Sequence, residues 1–99
     1  MLYNKMSTPV NHTQSLSEWA NTTTKRKWCD IKEQSPDTII LVHVGKFYEV
    51  FHQDADALVN VTDAPYMKGV VAHTGFPSSA LNKYIGVLRE AGYLNIRII

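Results

Sequence analysis

Apolar positions follow three different patterns along the chain, and each predicts a different element. Leu81, Tyr84, Ile85, Leu88 and Ala91 recur at spacings of three and four, which puts them on one face of a helix. Ser78 or Ser79 can cap that helix, and Gly92 stands just past its end, where a left-handed residue is wanted. Leu94, Ile96 and Ile98 then alternate with Asn95 and Arg97, the period-two pattern of a half-buried strand. Thr38 to Val44 follows neither rule. It is β-branched and apolar, of strand length, and does not alternate, so it predicts a strand covered on both faces.

Weaker patterns fill the intervals. Lys25 to Gln34 reads as a short helix: Thr23 or Thr24 can cap it, Trp28 and Ile31 share a face, and Pro36 ends it. Gly45 lets the chain bend, and Phe47 to Phe51 continues as an extended segment. Gln53 to Asn60 reads as a helix with Asp54 and Asp56 in its first turn, where the macrodipole favours negative charge. Tyr66 to Lys68 and Val70 to His73 read as short strands turning at Gly69, with Pro77 closing that unit. Residues 1–24 are polar, carry Pro9 and lack sustained periodicity. They are expected to form a flexible leader, apart from one helical turn capped by Ser15-x-x-Glu18 and reaching Trp19. The domain proper is expected over residues 25–99. The order of elements predicts an α/β (α+β) fold, a small mixed sheet flanked by about three helices. The chain stops at or inside the last predicted strand, so it reads as a piece cut from a longer protein.

Composition is ordinary for a globular domain, with 44% hydrophobic and 19% charged residues among 99. The net charge of +1 changes the picture more. A domain that binds duplex DNA unaided carries a basic footprint, because phosphate contacts supply most non-specific affinity. If this chain touches DNA, it needs help from other domains. Cys29, the one cysteine, excludes an internal disulfide. No run approaches the roughly 18 apolar residues that span a bilayer, so no membrane partner is expected.

Most motif-borne chemistries are missing. There is no GxxxxGK[ST] loop to cradle ATP phosphates, and no GxGxxG, GxSxG or HExxH. His12, His43, His52 and His73 form no ligand pairs at metal spacing. No metal or other cofactor is expected in this domain, and no catalytic residue is assigned. Lys25, Arg26, Lys27 and Lys32 could lower the pKa of Cys29, although a semi-buried structural cysteine is the simpler reading. Glu49, Asp54 and Lys68 could imitate the acid-and-lysine set of a metal-dependent nuclease. His73, before Thr74-Gly75-Phe76-Pro77, reads as a hydrogen-bonded structural histidine.

Phe47 and Glu49 carry the sharper signal. In extended chain the side-chain period is two, so the ring and the carboxyl point to one side. Apolar side chains pushed into a base step unstack and kink the duplex, at a cost of a few kcal/mol per step. A mispaired or looped-out base gives up less stacking and pairing when disturbed. A carboxylate near a polyanion is disfavoured, and the neutral acid can donate to a base nitrogen. The same group repels ordinary duplex, which gives discrimination by penalty as well as by contact. Lys46 and Lys68 are candidate contacts to the DNA backbone, though solvated lysines are the simpler reading for each.

These residues lie in GKFYEVFHQDA, which resembles the mismatch-recognition segment of MutS proteins, with Phe-x-Glu in a G-x-FYE context. KRKWCDIKEQSPD is similar to the first helix of that family's domain I. MKGVVAHTGFP and LNKYIGVLREAGYLNIRII are similar to later stretches of the same domain, in the same order. The closest resemblance is to the mispair-reading subunit of the eukaryotic MutS heterodimer. Val70-Val71 depart from it, since a polar residue and Trp usually stand there. The resemblance implies a mixed α/β module that stacks Phe47 at a mispair or small insertion loop in double-stranded DNA and hydrogen-bonds the base through Glu49. It implies as partners the remaining domains of a MutS-like chain, the ATPase among them, and a MutS-homologue subunit, all in the nucleus. A small metal-dependent nuclease and a protein-interaction module, in which Phe47 merely packs, stay open as alternatives.

Overall fold

The computed structural model describes residues 15–99. The elements are α1 (Leu16–Trp19), α2 (Thr23–Gln34), β1 (Ile39–Val44), β2 (Phe47–Phe51), α3 (Gln53–Val61), β3 (His73–Pro77), α4 (Leu81–Glu90) and β4 (Ile96–Ile98). A 3-10 turn, Ser78–Ala80, leads into α4. The four strands form one mixed sheet in the order β3-β2-β1-β4. β2 runs antiparallel to both β1 and β3, whereas β4 runs parallel to β1. This is the expected α+β class. Among the described residues, no helix is long and apolar enough to cross a membrane.

The unbroken apolar run of β1 has the predicted cause, because both of its faces are covered. Ile39 and Leu41 join Tyr48, Val50, Leu58, Phe76 and Leu88 in one core cluster, beneath α3 and α4. Ile40 and Val42 join Trp19, Trp28, Ile31, Phe51 and Val71 in the other, beneath α1 and α2. Burying aliphatic side chains of this size stabilises by about 1.5–3 kcal/mol each. The α1–α2 face carries an aromatic cluster. Trp19 meets Trp28 edge-on at 5.3 Å and Phe51 at 5.1 Å. His52, at the start of α3, adopts a left-handed φ of 57°, uncommon for a side chain with a Cβ. Its ring lies 4.4 Å from Trp19 and 5.0 Å from Trp28, packing that helps to hold it there.

Most of the expected leader, residues 1–14, lies outside the described residues. Within its remainder, Ser15 and Glu18 form the expected reciprocal capping box, and Trp19 is buried. α2 is capped by Thr22 rather than Thr23 or Thr24, because the Thr22 hydroxyl accepts from the Lys25 amide at 3.1 Å.

Three elements differ from expectation. No hairpin turns at Gly69, because residues 62–72 form an irregular crossing and the strand begins only at His73. The Met67 amide donates to the His73 carbonyl at 2.7 Å, and the Thr74 hydroxyl donates to the Pro65 carbonyl at 2.7 Å. Those bonds tether the loop, while the inner edge of β3 is taken by β2. Neither Ser78 nor Ser79 caps α4, since the 3-10 turn occupies that place. β4 is more exposed than a half-buried strand. It is a short edge strand, with Ile98 44% and the preceding Leu94 71% exposed.

Asp54 does more than meet a helix dipole. Its Oδ1 accepts from Lys32 Nζ at 2.5 Å, and its Oδ2 accepts from the Ile40 amide at 3.0 Å. Lys32 also donates to the carbonyls of Thr38 and Pro36. Both side chains are buried. The pair joins α2 and α3, which lie on opposite faces of the sheet, and holds the entry to β1 between them. Burial pushes the Asp54 carboxyl above its ordinary value, against the pull of Lys32 and the Ile40 amide.

Candidate nucleic-acid interface

β1 and β2 meet in a two-residue turn, Gly45-Lys46, flanked by the pair Val44 and Phe47. Gly45 has a φ of +60° and Lys46 does not, the arrangement of a type II′ hairpin turn. Glycine is needed at that first position because a Cβ there is strained. The pleat then sorts β2 by parity. Tyr48 and Val50 enter the core under α3 and α4, while Phe47, Glu49 and Phe51 share the α1–α2 face. Cover on that face thins toward the turn. Phe51 is 8% exposed beneath Trp19, Glu49 is 31% exposed, and Phe47 is 48% exposed. The ring and the carboxyl therefore stand on one side, outside the core, as the extended-chain argument requires.

Glu49 lies between two shallow clefts. Trp28, Val42 and His43 line one; Gly69, Val70 and His73 line the other. Trp19, Lys25 and Phe51 border both. Glu49 Oε1 is 3.6 Å from His73 Nε2, too long for a hydrogen bond. The His73 ring is stacked on Phe51, with centroids 4.8 Å apart and planes 15° from parallel. Across the β2–β3 ladder Glu49 faces Gly75. A Cβ at Gly75 would stand 2.7 Å from the Tyr48 carbonyl oxygen and 3.6 Å from Glu49 Cα. Only glycine lets β3 lie this close to the strand that carries Glu49.

The two candidate backbone lysines sit apart from each other. Lys46 is exposed in the hairpin turn, next to Phe47, and its carbonyl accepts from the Ser78 amide. Lys68 is exposed on the 62–72 loop, beside the residues that border the second cleft. Sequence reasoning passed over Lys25 as one basic residue among several. Its ammonium lies 5.2 Å from the Trp19 ring, at the rim of both clefts.

The competing sets fare differently. Asp54 has both oxygens engaged by Lys32 and Ile40, which leaves the nuclease-like trio of Glu49, Asp54 and Lys68 without a free second acid. Among the described residues, no group of three His, Cys, Asp or Glu side chains is arranged to hold a metal ion. The Cys29 thiol is pushed up by burial and by Asp30, the opposite of the activation that its basic neighbours in sequence suggested.

A family model described as MutS domain I matches residues 22–98. DNA mismatch repair protein Msh6 of Homo sapiens is 44% identical over 73 residues, and that of Gallus gallus is 41% identical over the same length. Each alignment covers 74% of this chain but only 5% and 6% of those proteins. DNA mismatch repair protein MutS of Thermotoga neapolitana is 41% identical over 68 residues, covering 68% of this chain and 8% of its own length. The family match takes in every strand and the three longer helices of the fold, and the chain belongs to the MutS domain I family.

Proposed function

We propose that this domain is the mispair-reading module of a DNA mismatch repair protein and is not itself an enzyme. Phe47 enters a weakened base step in double-stranded DNA, at a mispair or small insertion loop, and Glu49 hydrogen-bonds the displaced base. The observation that carries this reading is the shared outward face of Phe47 and Glu49 at the tip of the first hairpin. A Phe47 packed beneath neighbours would instead have favoured a protein-interaction module. Lys46, next to Phe47 in the turn, and Lys68, on the 62–72 loop, contact backbone phosphates. No cofactor takes part within the domain. ATP hydrolysis and clamping belong to the remaining domains of the full-length protein, working in the nucleus with a MutS-homologue subunit.

The test is competition binding by the full-length protein, with a G·T or looped-base duplex against matched DNA. Phe47→Ala is expected to erase the preference. Base–aromatic stacking is worth about 1–3 kcal/mol, so the loss is roughly five- to one-hundred-and-fifty-fold. An unchanged preference refutes the reading.

A further inference from the structure

We propose that His73 is the positioning residue for Glu49, the group that decides which carboxyl oxygen meets the base. The inference rests on the function proposed above and assigns a task to a side chain which that function leaves unused.

His73 Nε2 is buried and has no hydrogen-bond partner. A buried, unpaired ring nitrogen is costly to leave so and calls for an explanation. It is aimed at Glu49 Oε1, 3.6 Å away, a gap that a small rotation of the partly exposed carboxyl closes. The imidazole is the better-fixed partner of the two. Phe51 is stacked on it, and its own backbone carbonyl is held by the Met67 amide at 2.7 Å. Strand register puts the two side chains on one face, since Phe51 pairs with His73 and Glu49 with Gly75.

The consequence follows from donor and acceptor counts. A neutral carboxylic acid has one carbonyl-type oxygen, which accepts, and one hydroxyl, which donates. If Nε2–H donates to Oε1, that oxygen becomes the acceptor and the acid proton resides on Oε2. Oε2 is then the oxygen that faces outward, ready to donate to a base nitrogen. Without His73, either oxygen can carry the proton and the carboxyl turns freely, so the donor is aimed only part of the time. Lys25 is the other basic side chain at the rim of both clefts.

Two substitutions separate positioning from packing. His73→Gln keeps an N–H donor near Nε2 but loses the ring. His73→Phe keeps the ring against Phe51 but loses the donor. In competition binding by the full-length protein, His73→Phe is expected to lower the preference for a G·T duplex by about threefold to tenfold, the size of one ordinary hydrogen bond. His73→Gln should stay within about twofold of the parent, less than one such bond is worth. Added to Glu49→Ala, His73→Phe should change nothing further, because the group it positions is gone. His73→Leu takes the place of His73→Phe if the larger ring does not fold.

A spared Phe variant with a damaged Gln variant makes His73 a packing residue and overturns the inference. So does equal damage in both, equal retention in both, or an undiminished effect of His73→Phe in the Glu49→Ala background. If Glu49→Ala itself leaves the preference intact, the proposed function fails with it. If Glu49→Ala lowers the preference and His73→Phe does not, only the role of His73 falls.

Discussion

Phe47 and Val44 face each other across the tip of the first hairpin, and each leaves nearly half of its surface to solvent. Directly opposed residues of an antiparallel pair have Cβ atoms about 4.5–5.5 Å apart, so the valine buttresses the ring from one side. The ring is thus supported without being buried.

Exposure of that kind separates function from stability. Phe47→Ala should leave the unfolding free energy within about 0.5 kcal/mol of the parent, as for surface substitutions generally. Urea unfolding checks this beside the binding assay. A loss near the roughly 3 kcal/mol typical of a core Phe→Ala change would make Phe47 a packing residue and undercut the wedge.

Glu49→Gln is expected to tighten binding to matched duplex, because it removes a like charge from beside the phosphates while keeping nearly the same shape. Two unit charges 4 Å apart in water interact by about 1 kcal/mol, so the gain is on the order of fivefold. A titration of matched duplex at fixed salt gives the answer. Equal or weaker binding argues against repulsion as the source of discrimination.

The buried pair gives a stability prediction with no bearing on DNA. Asp54→Asn removes the charge that compensates Lys32 and should destabilise the fold by about 3–5 kcal/mol. Replacing both partners with apolar residues, Lys32→Met with Asp54→Leu, should recover most of that loss, since no buried charge is then left alone. Chemical unfolding of the three proteins tests the pair. A mild effect of Asp54→Asn would mean that water reaches Lys32.

With a net charge of +1, the 99-residue chain should bind DNA weakly when separated from any other domain. Its affinity should lie in the range of non-specific binding, about 1–100 µM at physiological salt, and should fall further as salt rises. Filter binding across a salt series measures it. Tight, salt-resistant binding would remove the need for a clamp.

Those features of the fold that depend on neighbours in sequence were legible in it. The Thr38–Val44 run announced a strand covered on both faces, and Gly45 and Gly92 stand where the backbone takes positive φ. Parity alone put Phe47 and Glu49 on one side. Features that depend on distant pairings were not legible. Lys32 and Asp54 are 22 positions apart and meet only because helices on opposite faces both reach the entry of β1. The Gly69 hairpin failed because β3 finds its partner in β2, so Val70 is left outside the sheet. His73 looked like an ordinary structural histidine. Its approach to Glu49 comes from strand register, which one sequence does not state.

β2 is an interior strand, bonded to β1 on one side and β3 on the other. On the proposed reading, the probe that it carries cannot swing toward a lesion without tearing two ladders. Compliance must then come from the nucleic acid. Lesions should rank by how readily their duplex gives way against a stiff tooth, with base identity a secondary influence.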